Sequence, residues 1–247
     1  RIALEVSQSS SLTVAAIFML IVAFGFKIAA IPFHMWAPDA YEGAPTPVTA
    51  FMAAAVKSAA IAGMIRVFVQ ALGGEIVPFG NVGWSSIFAI MAAVTMTVGN
   101  IGALRQNNIK RMLAYSSVAH AGVLLVGLIA AGIAPEGEGL ASVLFYLLAY
   151  SVATVGAFGV VVWIGNRDRE RVLLSDWYGL GAAKPAAAMV MTLFMLSFAG
   201  IPPTGGFFAK FFLFKSALMA QDQALLWLVI VGVLNSMISI FYYLKVV

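Results

Sequence analysis

AAAMVMTLFMLSFAGIPPTGGFFAKFFLFKSALMA, residues 186–220, is an apolar run too long for one membrane crossing, and it carries its own interruption. About 20 residues, at about 1.5 Å of rise each, span the roughly 30 Å of bilayer hydrocarbon. Near the middle stand Gly200-Ile201-Pro202-Pro203-Thr204-Gly205-Gly206. Proline removes a backbone donor and glycine relaxes the helix, so this tract predicts a helix broken within the membrane. Lys210 follows the break, flanked by Phe207, Phe208, Phe211 and Phe212.

The rest of the chain has the same character. It is 62% hydrophobic and only 10% charged, too little charge to cover a soluble domain of 247 residues. Seven spanning segments are expected, at Ser11–Ile31, Thr46–Leu72, Trp84–Leu104, Ile109–Gly132, Leu140–Gly165, Ala186–Ala220 and Ala224–Val247. Regular alternation is absent, which argues against a transmembrane barrel. The fold class is therefore an all-α membrane bundle with discontinuous helices. Pro32, Pro38, Pro45 and Pro47 follow the first segment, which should itself be discontinuous or end in a shaped loop. There are no cysteines, so disulfides, iron–sulfur ligation and thiol chemistry are excluded. Neither a Walker A, a GxGxxG nor an HExxH motif occurs, and a net charge of +4 does not suggest nucleic acid. His34 and His120 are expected at different depths, which disfavours a haem between them. The chain opens at Arg1 and ends within an apolar stretch, and reads as a segment of something longer.

Basic residues give the orientation. Arg105, Lys110 and Arg111 follow the third segment, Arg167, Arg169, Arg171 and Lys184 follow the fifth, and Lys245 ends the seventh, all on one side. Arg66, Lys215 and Arg1 fall on the other. The positive-inside rule puts Pro32–Pro47 in the cytoplasm and Arg1 outside. Ala30-Ile31-Pro32-Phe33 echoes Gly200-Ile201-Pro202-Pro203, five crossings apart and so oppositely directed. Inverted repeats with matching broken helices mark ion paths in transporters.

All ten carboxylates, Glu5, Asp39, Glu42, Glu75, Glu136, Glu138, Asp168, Glu170, Asp176 and Asp222, lie in loops or at helix ends, whereas Lys27, Lys57 and Lys210 fall within apolar segments. A lysine there costs roughly 2.5–3.5 kcal/mol on insertion scales. Burial disfavours its charged form, which suits it to a proton relay. The competing reading is snorkelling to the interface, strongest for Lys27. His120 lies mid-helix with Ser116 and Ser117 one turn earlier; imidazole can pass a proton through either nitrogen, or simply be packed and hydrogen-bonded. Tyr146, Tyr150 and Thr154 form a polar stripe at four-residue spacing, either packing helices or continuing the path. Asp39 and Glu42 are expected to serve turns and caps, and Arg66 to snorkel. Gly99/Gly102 and Gly156/Gly159 read as close helix contacts.

Three motifs carry a resemblance: Lys27-Ile28-Ala29-Ala30-Ile31-Pro32-Phe33-His34-Met35-Trp36-Ala37-Pro38-Asp39-Ala40-Tyr41-Glu42-Gly43-Ala44-Pro45-Thr46-Pro47-Val48, Asn108-Ile109-Lys110-Arg111-Met112-Leu113-Ala114-Tyr115-Ser116-Ser117-Val118-Ala119-His120, and Ala199-Gly200-Ile201-Pro202-Pro203-Thr204-Gly205-Gly206-Phe207-Phe208-Ala209-Lys210. In this order they resemble the antiporter-like membrane subunits of proton-pumping NADH–quinone oxidoreductase, respiratory complex I. Within that group the wording is most like subunit N. The M subunit typically has glutamate where Lys210 stands, and the L subunit a histidine on the helix that here carries Lys57. The resemblance implies an inverted-repeat fold with residues 1–72 ending the first repeat and 84–247 forming the second. It implies that Lys27 is the lysine on the first broken helix, Lys57 the connecting lysine and Lys210 the terminal lysine. The family's glutamate partner of the first lysine lies on an earlier helix, so Lys27 should face an open groove with no acidic neighbour.

The function so implied is proton translocation in a bacterial inner membrane, through buried lysines, His120 and internal water. Other complex I membrane subunits and the lipid bilayer would be the partners. No cofactor is expected in this chain; NADH, FMN, iron–sulfur clusters and quinone belong to partner subunits. The rival readings are a subunit of a multisubunit sodium/proton antiporter or membrane-bound hydrogenase, a quinone-binding redox subunit with His120 or a tyrosine heading a lipid-accessible pocket, and a passive scaffold.

Overall fold

A computed structural model describes residues 11–72, 83–133, 137–165, 170–219 and 225–247. The fold is carried by α1 (Ser11–Ile28), α2 (Trp36–Gly43), α3 (Thr46–Ala71), α4 (Trp84–Leu104), α5 (Ile109–Ile133), α6 (Glu138–Ile164), α7 (Pro185–Ala199), α8 (Gly205–Leu218) and α9 (Leu226–Val246). The expected all-α membrane bundle is borne out. Helices α3, α4, α5, α6 and α9 are each long and apolar enough to cross a bilayer. The expected sixth segment is divided, as its proline–glycine tract predicts: α7 stops at Ala199 and α8 starts at Gly205. Gly200, at φ 78°, ends α7 in the left-handed conformation that glycine adopts without steric cost.

The Pro-rich stretch after α1 differs from expectation. It contains α2, whose Pro38 lies in the first turn, where a missing N–H leaves no helical acceptor unpaired. The Trp36 indole donates to the Phe26 carbonyl at the end of α1, 3.0 Å away. Asp39 and Glu42 are not turn and cap residues. Both pair with Arg111 at the start of α5, at 2.6 and 2.8 Å. The two breaks also match in backbone: Ala29 (φ 58°) directly follows α1 as Gly200 (φ 78°) follows α7. In this register Ala29 matches Gly200, one residue away from the register that the side chains suggest.

Helix α5 is the hub. Of its most apolar stretch 94% is buried, against half or less for the other four crossing helices. Its close approach to α4 is made by glycine, as expected for a membrane interface where lipid offers no competing packing advantage. A Cβ on Gly99 would collide with the Ala119 backbone, and one on Gly102 with the Tyr115 ring. Gly156 lies under the Phe194 ring, but Gly159 faces open space, so the second expected glycine pair supplies one contact rather than two.

The connections that bear the basic residues gather at one end of the bundle. Ile109 N–H donates to Val172 O at 2.7 Å and Leu174 N–H to Asn107 O at 2.9 Å. Lys245 reaches Asn107 at 3.0 Å. Lys110, expected as a topological charge, is instead 2% exposed and paired with Glu170 at 2.8 Å. Arg66 and Lys215 are exposed. Arg1, Glu5, Glu75, Glu136, Arg167, Asp168, Arg169 and Asp222 lie outside the described residues.

Gly99→Val should separate α4 from α5. The expected outcome is a loss of about 1–3 kcal/mol, the usual cost of overpacking, read as a lower melting temperature of the protein in detergent. An unchanged melting temperature would show that the interface yields without cost.

Candidate functional site

A helix interrupted in hydrocarbon leaves carbonyls that no following turn can satisfy. Those at the end of α7 are met by Lys210 from the next half-helix. Its ammonium donates to Phe198 O at 2.9 Å and to Ala199 O at 3.1 Å. The positive group thus sits at the negative end of the α7 dipole. The opposite side of the break is closed by Gly206 N–H, which donates to the Ser197 hydroxyl at 3.2 Å. Gly206 has no room for a side chain, since a Cβ would overlap the Ser197 carbonyl.

Lys57 solves the same problem differently. It stands where a π-helical stretch, Met52–Val56, gives way to the α-helical Lys57–Met64, with a second π-helical stretch at Ile65–Ala71. Such insertions concentrate at functional sites. The ammonium donates to both the carbonyl and the hydroxyl of Ser117 on α5, and lies 5.6 Å from the centre of the Tyr150 ring. The Tyr150 hydroxyl donates to the same Ser117 hydroxyl at 2.9 Å.

His120 stands one turn beyond Ser117 on α5. Its Nδ1 is 2.6 Å from the Tyr146 hydroxyl and its Nε2 is 3.1 Å from the Tyr243 hydroxyl, which also meets Ser116. The His120 ring lies 5.0 Å from that of Tyr150 and 5.5 Å from that of Phe198. His120 and Lys210 together line two small adjoining cavities. The first extends to Asn100, Asn235, Ser239 and Tyr242, the second to Tyr146, Tyr150 and Ser197. Lys57, His120 and Lys210 are 3%, 6% and 9% exposed, so all three face the bundle interior rather than lipid.

Hydroxyls and imidazole both donate and accept, so groups at these distances can hand a proton along by rotating. Two members of the expected stripe on α6 join this set: Tyr150 serves Ser117 and Tyr146 serves His120. Lys27, in contrast, is exposed, and no carboxylate among the described residues pairs with it. Among the described residues no cluster of three or more His, Asp or Glu side chains is placed to hold a metal.

Sequence reasoning missed the α9 contribution. Tyr243 bridges His120 to Ser116, while Tyr242 donates to Asn100 at 2.8 Å and Asn100 to Asn235 at 3.0 Å. The one available signal was asparagine within two apolar helices, since a buried amide in hydrocarbon requires a partner.

This geometry, an interrupted helix whose free carbonyls hold a buried lysine in a bundle that also encloses a second lysine and a histidine, defines a polytopic membrane protein with protonatable groups in its interior. Residues 2–239 match the family described as NADH:quinone oxidoreductase/Mrp antiporter, transmembrane, and the chain belongs to it. The NADH-quinone oxidoreductase subunit N 1 of Sorangium cellulosum is 51% identical over 228 residues, 92% of this chain and 44% of that protein. Subunit N of Trichlorobacter lovleyi is 49% identical over 239 residues, 97% of this chain and 47% of its own length. The chain thus spans about half the length of the curated relatives it matches. Among solved structures, respiratory complex I from Thermus thermophilus with bound Aureothin superposes with a TM-score of 0.76 at 37% identity, covering 94% of this chain and 48% of that one. The Mrp complex from Dietzia sp. superposes with a TM-score of 0.83 at 26% identity, covering 97% and 42%.

Tyr146→Phe should remove one of the two hydroxyls that hold His120 and cost about 1–3 kcal/mol, the penalty of an unpaired buried polar group. Added to His120→Phe, the same change should cost much less. Additive losses of stability in this double-mutant cycle would show that the two side chains are not coupled.

Proposed function

We propose that this chain carries protons across a bacterial inner membrane as a subunit N-type component of NADH:quinone oxidoreductase. The observation that supports this most directly is the buried line from Lys57 through Ser117, Tyr150 and His120 to Lys210, together with close relatives named subunit N. Lys57 and Lys210, the ionisable groups enclosed at the two ends of this line, are the sites that take up and release protons, and His120 with its two tyrosines passes them between the lysines. Lys27 supplies the first position of the line. Its partner is a carboxylate beyond the residues described, placed to hold the ammonium charged when close and to release its proton when withdrawn.

Residues 1–72 end one repeat and 84–247 form the next, inverted repeat; the paired breaks after α1 and α7 support this division. The end of the bundle that holds Arg105, Arg171 and Lys245, including Pro32–Pro47, faces the cytoplasm. This follows from the positive-inside rule applied to connections that the structure brings together. NADH, FMN, iron–sulfur clusters and quinone are held by partner subunits, and electron transfer there reaches this chain as a change of conformation and charge. A quinone head site is disfavoured because His120 and its tyrosines are closed to the lipid face.

The test is Lys210→Ala in the assembled complex, reconstituted in vesicles. Insertion should persist, because removing a buried charge relieves a folding cost. Protons translocated per electron should fall. An unchanged ratio would make Lys210 a structural partner of the α7 carbonyls and nothing more.

A further inference from the structure

Lys110 and Glu170 are absorbed neither by the proposed pathway nor by topology. A topological charge is solvated, whereas Lys110 is among the most deeply buried side chains of the molecule. Its ammonium donates to Ala44 O at 2.7 Å and to Glu170 Oε2 at 2.8 Å. The other oxygen of Glu170 accepts from the Thr46 hydroxyl at 2.8 Å and from the Thr46 N–H at 3.2 Å. Thr46 is the first residue of α3, and the residue before it, Pro45, offers no side-chain cap. The carboxylate that caps α3 therefore arrives from the connection between α6 and α7, and the lysine that fixes that carboxylate belongs to the first turn of α5. Burial alone would make Glu170 harder to ionise, but the Lys110 contact and the two Thr46 hydrogen bonds outweigh it and hold its carboxyl below the usual carboxylate range.

We infer that Lys110 and Glu170 are positioning residues for Lys57, acting as a latch that sets the N-terminus of α3 against the N-terminus of α5. The inference rests on the pathway reading above. Helix α3 carries Lys57 and α5 carries Ser117, so the register between the two helix starts decides whether the ammonium meets the Ser117 carbonyl and hydroxyl. Helices are stiff along their axes, and a shift at the latched end is transmitted to the contact within the membrane. Glu170 performs two tasks at once: neutralising Lys110 and accepting the orphan N–H at the helix start. Exchanging the two charges would restore the first task and abolish the second, since a lysine at 170 has no acceptor to offer Thr46.

The experiment uses the intact complex in vesicles and compares Glu170→Gln, Thr46→Val, Glu170→Asp, the exchange Lys110→Glu with Glu170→Lys, and Lys57→Ala. Protons per electron are measured per assembled complex, so that lost assembly does not enter the ratio. Glu170→Gln and Thr46→Val should lower the ratio towards that of Lys57→Ala, Glu170→Asp should recover part of it, and the charge exchange should restore assembly without restoring the ratio. Thr46→Val keeps the ion pair and the backbone, so it reports even where Glu170→Gln fails to assemble. Full recovery by the charge exchange, or a normal ratio in Thr46→Val, would overturn the latch while a lowered Lys57→Ala ratio left the pathway standing. A normal ratio in Lys57→Ala would overturn the pathway reading itself.

Discussion

In hydrocarbon, a backbone carbonyl without a donor has nowhere to turn. The fold of this chain is arranged around that constraint. The tract from Gly200 to Gly206 stops α7 inside the bundle, and the carbonyls of Phe198 and Ala199 are left over. They are satisfied by the ammonium of Lys210, and the ammonium in turn is tolerated because two carbonyls and a helix dipole receive it. Neither the break nor the charge would be stable in the membrane alone.

The same exchange recurs at Lys57, with Ser117 as acceptor and a π-helical stretch just before the lysine. Between the two lysines, α5 presents Ser116, Ser117 and His120 along one side, and α6 and α9 contribute tyrosine hydroxyls. Each group is bound to others that can both give and take a hydrogen. Because α5 is enclosed on nearly every side, this polar line is kept from lipid, and the two small cavities lined by His120 and Lys210 adjoin it.

Much of this was legible in the sequence. The crossing segments emerge as helices at nearly the expected residues, because hydropathy and length are dictated by the bilayer. The break in the sixth segment was written in Pro202, Pro203 and three glycines, and the buried lysines were visible because charge in an apolar run has so few explanations. What stayed hidden depends on partners distant in sequence. Nothing local says that Tyr243 reaches His120, more than a hundred residues away, or that Lys110 will be buried against Glu170 rather than solvated. Helix α2 was concealed by the prolines in and around it, which read as a loop although Pro38 occupies a first turn where proline is tolerated. The π-helical turns around Lys57 carry no compositional mark. The motifs shared with complex I subunits pointed to the family before any geometry was known, yet they could not show how the lysines are held.

Proton carriage by the buried lysines requires that they change their protonation state, rather than merely provide fixed positive charge. Lys57→Arg separates the two, because guanidinium keeps a positive charge at this position but does not release its proton at any pH the complex survives. In vesicles containing the whole complex, protons translocated per electron should fall in Lys57→Arg to the level of Lys57→Ala. A ratio equal to that of the unmodified complex would show that Lys57 acts as a fixed charge and carries no proton.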